Sequence, residues 1–282
     1  MNYSGYLILS DIDDTLTLRG KPISEGNLAA IKRFQAGGGR FTLCTGRALS
    51  YFHKNIDTMY RFIPNAPVAT LNGTLITSWE GEVLARTPIE TDYTEPINYI
   101  IANYRAQLVE VARSEETKRL SWQEGNKTDK LVGNERGETI GLDEFIDLSI
   151  PVYKFIFVLD TEEHTVALMN DMISRYGDLY DFDRSSPTLL EMHGKGTGKG
   201  GCVRIYRELL PDVHTVIAAG DYENDISMLR EADVGCAMGN AIPAVKAVAD
   251  RVICRAEEDG IAYIVDRIIP ELEKERKQNG QV

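Results

Sequence analysis

The sequence predicts an α/β fold, a Rossmann-like doubly wound parallel sheet that carries an inserted α+β domain. Short apolar runs recur five times along the chain, and each ends at polar residues before a turn or a helix. Runs of this kind are typical of strands buried on both faces of a parallel sheet, with helices between them. In the middle of the chain this rhythm changes over about 100 residues, a usual size for a small domain. That change predicts the insert.

Length, composition and charge narrow the class of protein. The chain has 282 residues, 43% of them hydrophobic and 26% charged, as in ordinary globular proteins with a large core. A net charge of -12 argues against a nucleic-acid or anionic-membrane binder, since either needs a basic face. No signal peptide or membrane-length apolar stretch is evident, and the cysteines form no C-x-x-C pair. We therefore expect a cytoplasmic protein, either a monomer or a small homo-oligomer.

The first predicted strand ends in acid. The apolar run 6–10 leads directly into Asp11, Asp13 and Asp14. Carboxylates crowded at a strand end repel one another, and a hard cation such as Mg²⁺, which prefers oxygen ligands, offsets that repulsion. Asp11 and Asp13 project to the same side of an extended chain, so both can reach one reacting group. The alternative is a strand followed by an acidic turn, because Asp is a common turn residue.

The following elements repeat this pattern. Ser24 predicts the N-cap of a helix that ends at Gly37-Gly38-Gly39. Four further apolar runs each end at polar residues. Run 41–44 ends at Thr45-Gly46-Arg47, run 68–71 at Asn72-Gly73, run 216–219 at Gly220-Asp221, and run 234–237 at Met238-Gly239-Asn240. Ligands of open α/β sheets bind at the carboxyl ends of the strands. We therefore expect these polar residues to converge on one crevice.

The middle of the chain predicts the inserted domain. A hairpin around Glu80-Gly81 precedes the insert, whose elements are a helix near 96–107, a strand at 153–159, a helix at 163–176 and a strand at 179–184. Proline and serine residues mark the connections at both ends. We assign residues 1–86 and 189–282 to the core domain and residues 87–188 to the insert.

Four motifs occur in order at the ends of predicted strands or the starts of helices: Asp11-x-Asp13-x-Thr15, Thr45-Gly46-Arg47, Lys199-Gly200 in a glycine-rich run, and the segment 220–225. Each motif alone is weak, but four in this order are specific. They resemble the haloacid dehalogenase (HAD) superfamily of phosphohydrolases, and more narrowly its Cof-type members with a type IIB cap. The resemblance covers nearly the whole core, whereas the insert matches in position and size.

The resemblance implies a Mg²⁺-dependent phosphatase that works through an aspartyl-phosphate. In such an enzyme Asp11 is the nucleophile and a metal ligand, and Asp13 is the general acid/base whose backbone carbonyl also reaches the metal. Thr45 donates its hydroxyl to the phosphoryl group, and the ammonium of Lys199 neutralises that group as a point charge. The insert is implied to be the cap that selects the substrate.

The implied ligand sets include further residues. Metal ligands are expected among Asp11, Asp13, Asp221 and Asp225, the last of which either holds the metal's waters or orients Lys199. Substrate contacts are expected from Gly46, Arg47, Asn72, Lys199 and Asn224. Structural alternatives stay open for these residues. Thr45 and Asp225 are also residue types that cap helices, and Asn72 is a usual turn residue. Lys199 could be a solvated lysine, and Arg47 could pair with an acid.

Two positions depart from the family pattern. Asp14 stands where glycine is frequent, and it adds a negative charge beside Asp13. Gly198 precedes Lys199 where serine or threonine is common, which removes one hydroxyl contact. Neither departure removes a group that the chemistry requires.

Parts of the sequence suggest three other functions. A P-loop kinase needs glycine at His193 and serine or threonine at Gly200, and the chain has neither. A phosphomutase of the same fold shares these motifs and stays open. A non-catalytic Mg²⁺-binding phospho-switch module would need neither the insert nor Asp13. The sequence therefore favours a phosphatase whose partner is a small phosphorylated metabolite, in particular a sugar phosphate.

Overall fold

The computed structural model describes residues 2–104, 108–113, 116–122 and 151–278. The strands are β1 Tyr6–Ser10, β2 Arg40–Leu43, β3 Val68–Thr70, β4 Leu75–Thr77, β5 Val83–Arg86, β6 Leu108–Arg113, β7 Glu116–Trp122, β8 Lys154–Val158, β9 Tyr180–Ser186, β10 Leu189–Gly194, β11 Thr215–Gly220, β12 Val234–Ala237 and β13 Arg251–Val252. The α-helices are α1 Glu25–Ala36, α2 Leu49–Asn55, α3 Thr94–Tyr104, α4 Glu162–Tyr176, α5 Gly198–Leu209, α6 Ile226–Glu231, α7 Pro243–Lys246, α8 Gly260–Tyr263 and α9 Ile269–Gln278. Shorter 3₁₀ and π segments are Ile56–Tyr60, Leu71–Gly73, Glu223–Asp225, Ala256–Glu258 and Ile264–Ile268.

The central sheet is parallel, with strand order β13–β12–β11–β1–β2. A bridge between Cys44 and Ala69 continues it to β3, which pairs antiparallel with β4 and then β5. All five apolar runs form strands here, which confirms the predicted α/β sheet. Strand β1 is buried along its whole length because it has a parallel neighbour on each side. The acidic residues that follow β1 therefore lie at the carboxyl edge of the sheet, between the ends of β11 and β2.

Helix α1 shows how local sequence sets the connections. The Ser24 hydroxyl accepts a hydrogen bond from the Asn27 N–H at 3.1 Å, which confirms the predicted N-cap. The helix ends at Gly37, and its apolar stripe, Leu28, Ile31 and Phe34, is buried in the same hydrophobic core as β1. No helix among the described ranges is both long and apolar enough to cross a membrane.

The insert has its own sheet and its own core. Its strands are antiparallel in the order β7–β6–β8–β10–β9, and the predicted hairpin around Glu80-Gly81 precedes them as β4 and β5. A separate group of buried side chains, including Ile97, Phe155 and Leu168, fills the space between this sheet and helices α3 and α4. Two independent cores are typical of two domains.

The predicted end of the insert at residue 188 is wrong. Strand β10, which begins at Leu189, pairs with β8 and β9 of the insert, and Leu190 and Met192 are buried in the insert's core. Its apolar sequence has the composition of a core strand, and single-sequence patterns do not say which sheet a strand joins. The chain returns to the core after Gly194, where α5 begins at Gly198 and packs against α6.

The two departures from the family pattern have local structural settings. Asp14 has a φ of 62°, in the left-handed region that glycine favours and that Asp tolerates, and its carboxylate lies 3.6 Å from the Arg19 Nε. Gly198 has a φ of 76°, and a Cβ there would lie 2.5 Å from the His193 ring. That ring is buried and hydrogen-bonded to Asp183 at 2.9 Å, so it has little freedom to move.

We expect Gly198→Ser to destabilise the fold by about 2–4 kcal/mol, because it adds a steric clash to backbone strain. Gly20→Ser is the matched control. Its φ is also left-handed, at 71°, but nothing lies within 4 Å of a Cβ there. Strain alone costs the control about 1–2 kcal/mol. Urea denaturation of both variants measures the difference, and equal losses would mean that the His193 ring gives way.

Candidate active site

Polar residues from four strands meet at the carboxyl edge of the central sheet. Asp11 follows β1, Thr45 follows β2, Asn72 follows β3, and Asp221 follows β11. Hydrogen bonds connect them directly or through neighbours: the Asn72 backbone N–H donates to the Thr45 carbonyl at 2.7 Å, and Lys199 joins Asp11 from helix α5. The convergence expected from the sequence is therefore present.

Three carboxylates form the centre of this crevice. Oxygen atoms of Asp11, Asp221 and Asp225 all lie within 4.8 Å of one another. The Lys199 ammonium lies 2.7 Å from Asp11 Oδ1 and 2.6 Å from Asp225 Oδ1. Three carboxylates against one ammonium leave an excess of negative charge in a largely buried place. An oxygen donor set of this charge fits a divalent cation such as Mg²⁺.

Asp225 is fully buried, and both of its oxygens already have partners. Oδ1 accepts from Lys199, while Oδ2 accepts from the backbone N–H groups of Asp221, at 2.9 Å, and Tyr222, at 3.1 Å. Burial alone lowers the pKa of Lys199, but the attraction of Asp11 and Asp225 outweighs it and raises that pKa well above its usual range. These contacts favour an orienting role for Asp225, one of the two roles left open.

The other two carboxyls are hard to ionise in this environment. Burial, then the negative charge of neighbours, raises the pKa of Asp11 to about 7 and that of Asp221 to about 8. Lys199 opposes the shift at Asp11, and the Thr15 hydroxyl, which donates to Asp221 Oδ1 at 2.9 Å, opposes it at Asp221. The site therefore has too little positive charge of its own, which again fits a cation.

We expect Mg²⁺ to bind more tightly as the pH rises from about 6 to about 8.5, because ligation needs both carboxyls deprotonated. Their raised pKa values, about 7 for Asp11 and about 8 for Asp221, mean that the folded protein holds protons that the unfolded chain releases near its ordinary pKa of 3.8. Without metal, stability therefore falls as the pH rises through this range, and the stabilisation by Mg²⁺ grows. Calorimetric titration and thermal melts at several pH values measure both effects; a pH-independent affinity would contradict them.

Asp13 lies beside this cluster and is bound by Arg47. The Arg47 guanidinium donates from Nη2 to Asp13 Oδ2 at 2.8 Å and from Nε to the same oxygen at 3.1 Å. The guanidinium also lies over the Tyr51 ring, 4.1 Å from its centroid. Arg47 was expected either to contact the substrate or to pair with an acid. The structure shows the pair with Asp13, and the contact with substrate stays a prediction.

Thr45 lies in a tightly bonded turn. Its backbone N–H donates to the Ala69 carbonyl at 3.0 Å, and its hydroxyl oxygen accepts from the Arg47 N–H at 3.2 Å. Asn72, whose backbone N–H donates to the Thr45 carbonyl, has left-handed dihedrals, φ 60° and ψ 34°. Asn224 is buried in the 3₁₀ segment between Glu223 and Asp225. The substrate contacts predicted for these residues remain predictions.

Sequence reasoning missed the residues that the insert brings to this edge. Lys154 and Glu191 form a buried ion pair at 3.0 Å, next to Gly46 and Asn72. Arg184 of β9 reaches Glu223 in the loop after β11, at 2.6 Å. A signal was available, because Lys154 and Glu191 are charged residues inside otherwise apolar strands, and such residues are rarely buried without a partner.

The sequence profile of the haloacid dehalogenase-like hydrolase family matches residues 8–265. The chain belongs to this family. It is 27% identical over 270 residues to the 5-amino-6-(5-phospho-D-ribitylamino)uracil phosphatase YitU of Bacillus subtilis, covering 93% of this chain and 97% of that protein.

Solved structures agree with this assignment. A HAD/COF-like hydrolase from Plasmodium vivax superposes with a TM-score of 0.78 at 24% identity, covering 95% of this chain and 96% of that one. The HAD subclass IIB sugar phosphatase BT4131 superposes with a TM-score of 0.72 at 22% identity, covering 98% and 100%. At these identities the likeness shows the fold alone. Together with the phosphatase relatives, the family defines this protein as a HAD-superfamily phosphatase.

Proposed function

We propose that the protein is a Mg²⁺-dependent phosphatase that hydrolyses a small phosphorylated metabolite through an aspartyl-phosphate on Asp11. The observation that carries the proposal is the cluster of three carboxylates and Lys199 at the carboxyl edge of the sheet. Phosphate monoesters resist hydrolysis because their negative charge repels nucleophiles. Mg²⁺, held by Asp11, the Asp13 carbonyl and Asp221, supplies the positive charge that the cluster lacks.

The protein's own residues then carry the reaction in two steps. A carboxylate oxygen of Asp11 attacks phosphorus, and the bond from phosphorus to the leaving oxygen breaks while Asp13 gives that oxygen a proton. Asp13 then removes a proton from a water molecule, which attacks the phosphoryl group and frees Asp11 and phosphate. Lys199 and the Thr45 hydroxyl bind the phosphoryl oxygens throughout, and Asp225 holds Lys199 in place.

The substrate class follows from the relatives and from the position of the insert. The Bacillus subtilis relative is named for a phosphorylated ribityl compound, and the structural neighbour BT4131 for a sugar phosphate. The insert reaches the carboxyl edge of the sheet, where Arg184 of β9 donates to Glu223 in the segment after β11, so the insert lies where it can contact the leaving group. A phosphorylated sugar or polyol is therefore the substrate we propose, with the insert, residues 87–194, as the cap that selects it.

We also propose a cytoplasmic location. Cys44, Cys202 and Cys236 are buried as small apolar core residues, a use of cysteine that is common in proteins of reducing compartments.

The test is a panel of phosphorylated sugars, polyols and small acids, assayed with Mg²⁺ and with a chelator. We expect EDTA to reduce phosphate release at least ~10²-fold and added Mg²⁺ to restore it, because the excess negative charge otherwise repels the substrate. Activity that survives EDTA would contradict the metal's role. The same reactions are analysed for isomerised sugar phosphate, since isomer without free phosphate would identify a phosphomutase.

A further inference from the structure

Lys154 of β8 and Glu191 of β10, called here the buried pair, form an ion pair inside the molecule. Their side chains are 2% and 5% exposed, and Nζ lies 3.0 Å from Oε2. The Ser185 hydroxyl donates to the other Glu191 oxygen at 2.7 Å. Burial would raise the pKa of Glu191, but the ammonium of Lys154 holds it below its usual range. A buried ion pair is weak evidence for a stabilising role, so its placement needs another reason.

Both members of the buried pair extend from the insert to the core. Lys154 Nζ donates to the Gly46 carbonyl at 3.1 Å. The Asn72 side-chain amide donates to Glu191 Oε2. These contacts join two strands of the insert to the turns that follow two strands of the central sheet.

The two core residues that the buried pair contacts both adjoin the peptide between Thr45 and Gly46. Gly46 follows Thr45 in the chain, and the Asn72 backbone N–H donates to the Thr45 carbonyl at 2.7 Å. The three groups are closely packed, because a Cβ on Gly46 would lie 2.9 Å from Asn72 Oδ1 and 3.3 Å from Lys154 Nζ. The insert therefore contacts the turn that carries the Thr45 hydroxyl.

The turn at Asn72 needs such support. Both Leu71, with a φ of 50°, and Asn72, with a φ of 60°, are in the left-handed region, which persists in residues other than glycine only when the surroundings hold it. Tyr153, the neighbour of Lys154, packs against Leu71 and Leu75 in a small hydrophobic cluster. Tyr153, which precedes β8, and Glu191 of β10 thus both contact this turn from the insert.

We propose that Lys154 and Glu191 are positioning residues for the phosphoryl site, which hold Thr45 through Gly46 and Asn72 when the insert rests on the core. This inference rests on the proposed function. If the cap only selected the leaving group, changes in it would alter kcat for some substrates more than for others. A cap that positions Thr45 acts on the phosphoryl group, which every substrate shares.

The test is the double variant Lys154→Met with Glu191→Gln, which removes both charges together and so leaves neither buried alone. We expect kcat to fall about 10–100-fold, the cost of displacing a reacting group by about 1 Å. The fold-change should be the same for an aryl phosphate and for a hexose phosphate. Thermal melts and Mg²⁺ affinity serve as the readouts of fold and metal site, and both should stay near those of the unaltered protein.

A double-mutant cycle with Thr45→Val separates positioning from a general structural effect. If the buried pair acts through Thr45, its removal should lower kcat less than about 2-fold further in the Thr45→Val background, because coupled residues are non-additive. The matched control is Arg175→Met with Asp171→Asn, an ion pair of 2.8 Å in the insert whose arginine is 49% exposed. It should leave kcat unchanged for both substrates.

Three results would overturn the inference: a full additional loss in the Thr45→Val background, a loss confined to the hexose phosphate, or an unchanged kcat. If the double variant melts far below the unaltered protein, Lys154→Arg enters the same cycle, since it keeps the charge while moving the donor. Failure of the proposed function is a different result, in which the unaltered protein releases no phosphate from any ester with Mg²⁺.

Discussion

Asp11→Asn is expected to lower kcat at least ~10⁴-fold on every phosphate ester, because an amide oxygen cannot form the aspartyl-phosphate. The fold should survive. Asn keeps the shape and still accepts from Lys199, and the substitution removes a carboxyl whose pKa burial raises to about 7. At about pH 8 the ionised Asp11 opposes folding of the metal-free protein, so the variant should melt no lower than the unaltered chain.

The control for this substitution is Asp14→Asn. Asp14 is three residues further along the chain, its side chain is 37% exposed, and it pairs with Arg19. Because its carboxylate is exposed and pairs with Arg19, its neutral variant should keep nearly full activity. Steady-state rates and thermal melts of both variants measure the comparison. An Asp11→Asn enzyme that retains a tenth of the activity or more would place the nucleophile elsewhere.

Lys199→Met has the second largest expected effect, on both activity and stability. The side chain is 1% exposed and is bonded to Asp11 and Asp225, so its loss leaves two carboxylates without their common partner. Removing one member of a buried ion pair costs about 3–5 kcal/mol. The phosphoryl group loses its ammonium partner at the same time, so we expect kcat/KM to fall at least ~10³-fold.

The free energy that Lys199→Met costs should depend on pH, and urea denaturation at about pH 5.5 and about pH 8 measures that dependence. The loss of stability should be larger at the higher pH, because more of Asp11, whose pKa burial raises to about 7, is then ionised. Lys195→Met, the control, removes a lysine that is 54% exposed and pairs with Asp181 at 2.8 Å, and it should change stability by less than about 0.5 kcal/mol. Equal losses in the two variants would mean that burial of Lys199 has no energetic consequence.

The strands of the core could be predicted because they depend on local sequence. Uniformly apolar runs that end at Asp11, Thr45 and Asp221 specify buried parallel strands, and parallel strands bring their carboxyl ends to one edge. The helix that begins after Ser24 follows equally from a local cap. The residues of the carboxylate cluster were therefore available from the sequence, once the order of the motifs was recognised.

Contacts that cross between the domains could not be predicted in this way. Lys154 and Glu191 are paired although 37 positions separate them. Their contacts with Gly46 and Asn72 join residues that are 108 and 119 positions apart. The predicted boundary at residue 188 is wrong for the same reason, because the sequence of residues 189–194 does not indicate which sheet they join. Such pairings depend on the tertiary arrangement, which periodicity in one sequence does not contain.

The most direct test is to trap the phosphoryl group on the enzyme. The protein is mixed with a hydrolysed ester and Mg²⁺, quenched in acid within one turnover, digested and examined by mass spectrometry. The proposed chemistry predicts one phosphoryl group on the peptide that contains Asp11, and none in the Asp11→Asn variant treated identically. A phosphoryl group on any other residue, or none on the enzyme while phosphate appears, would contradict the assignment of Asp11 as nucleophile.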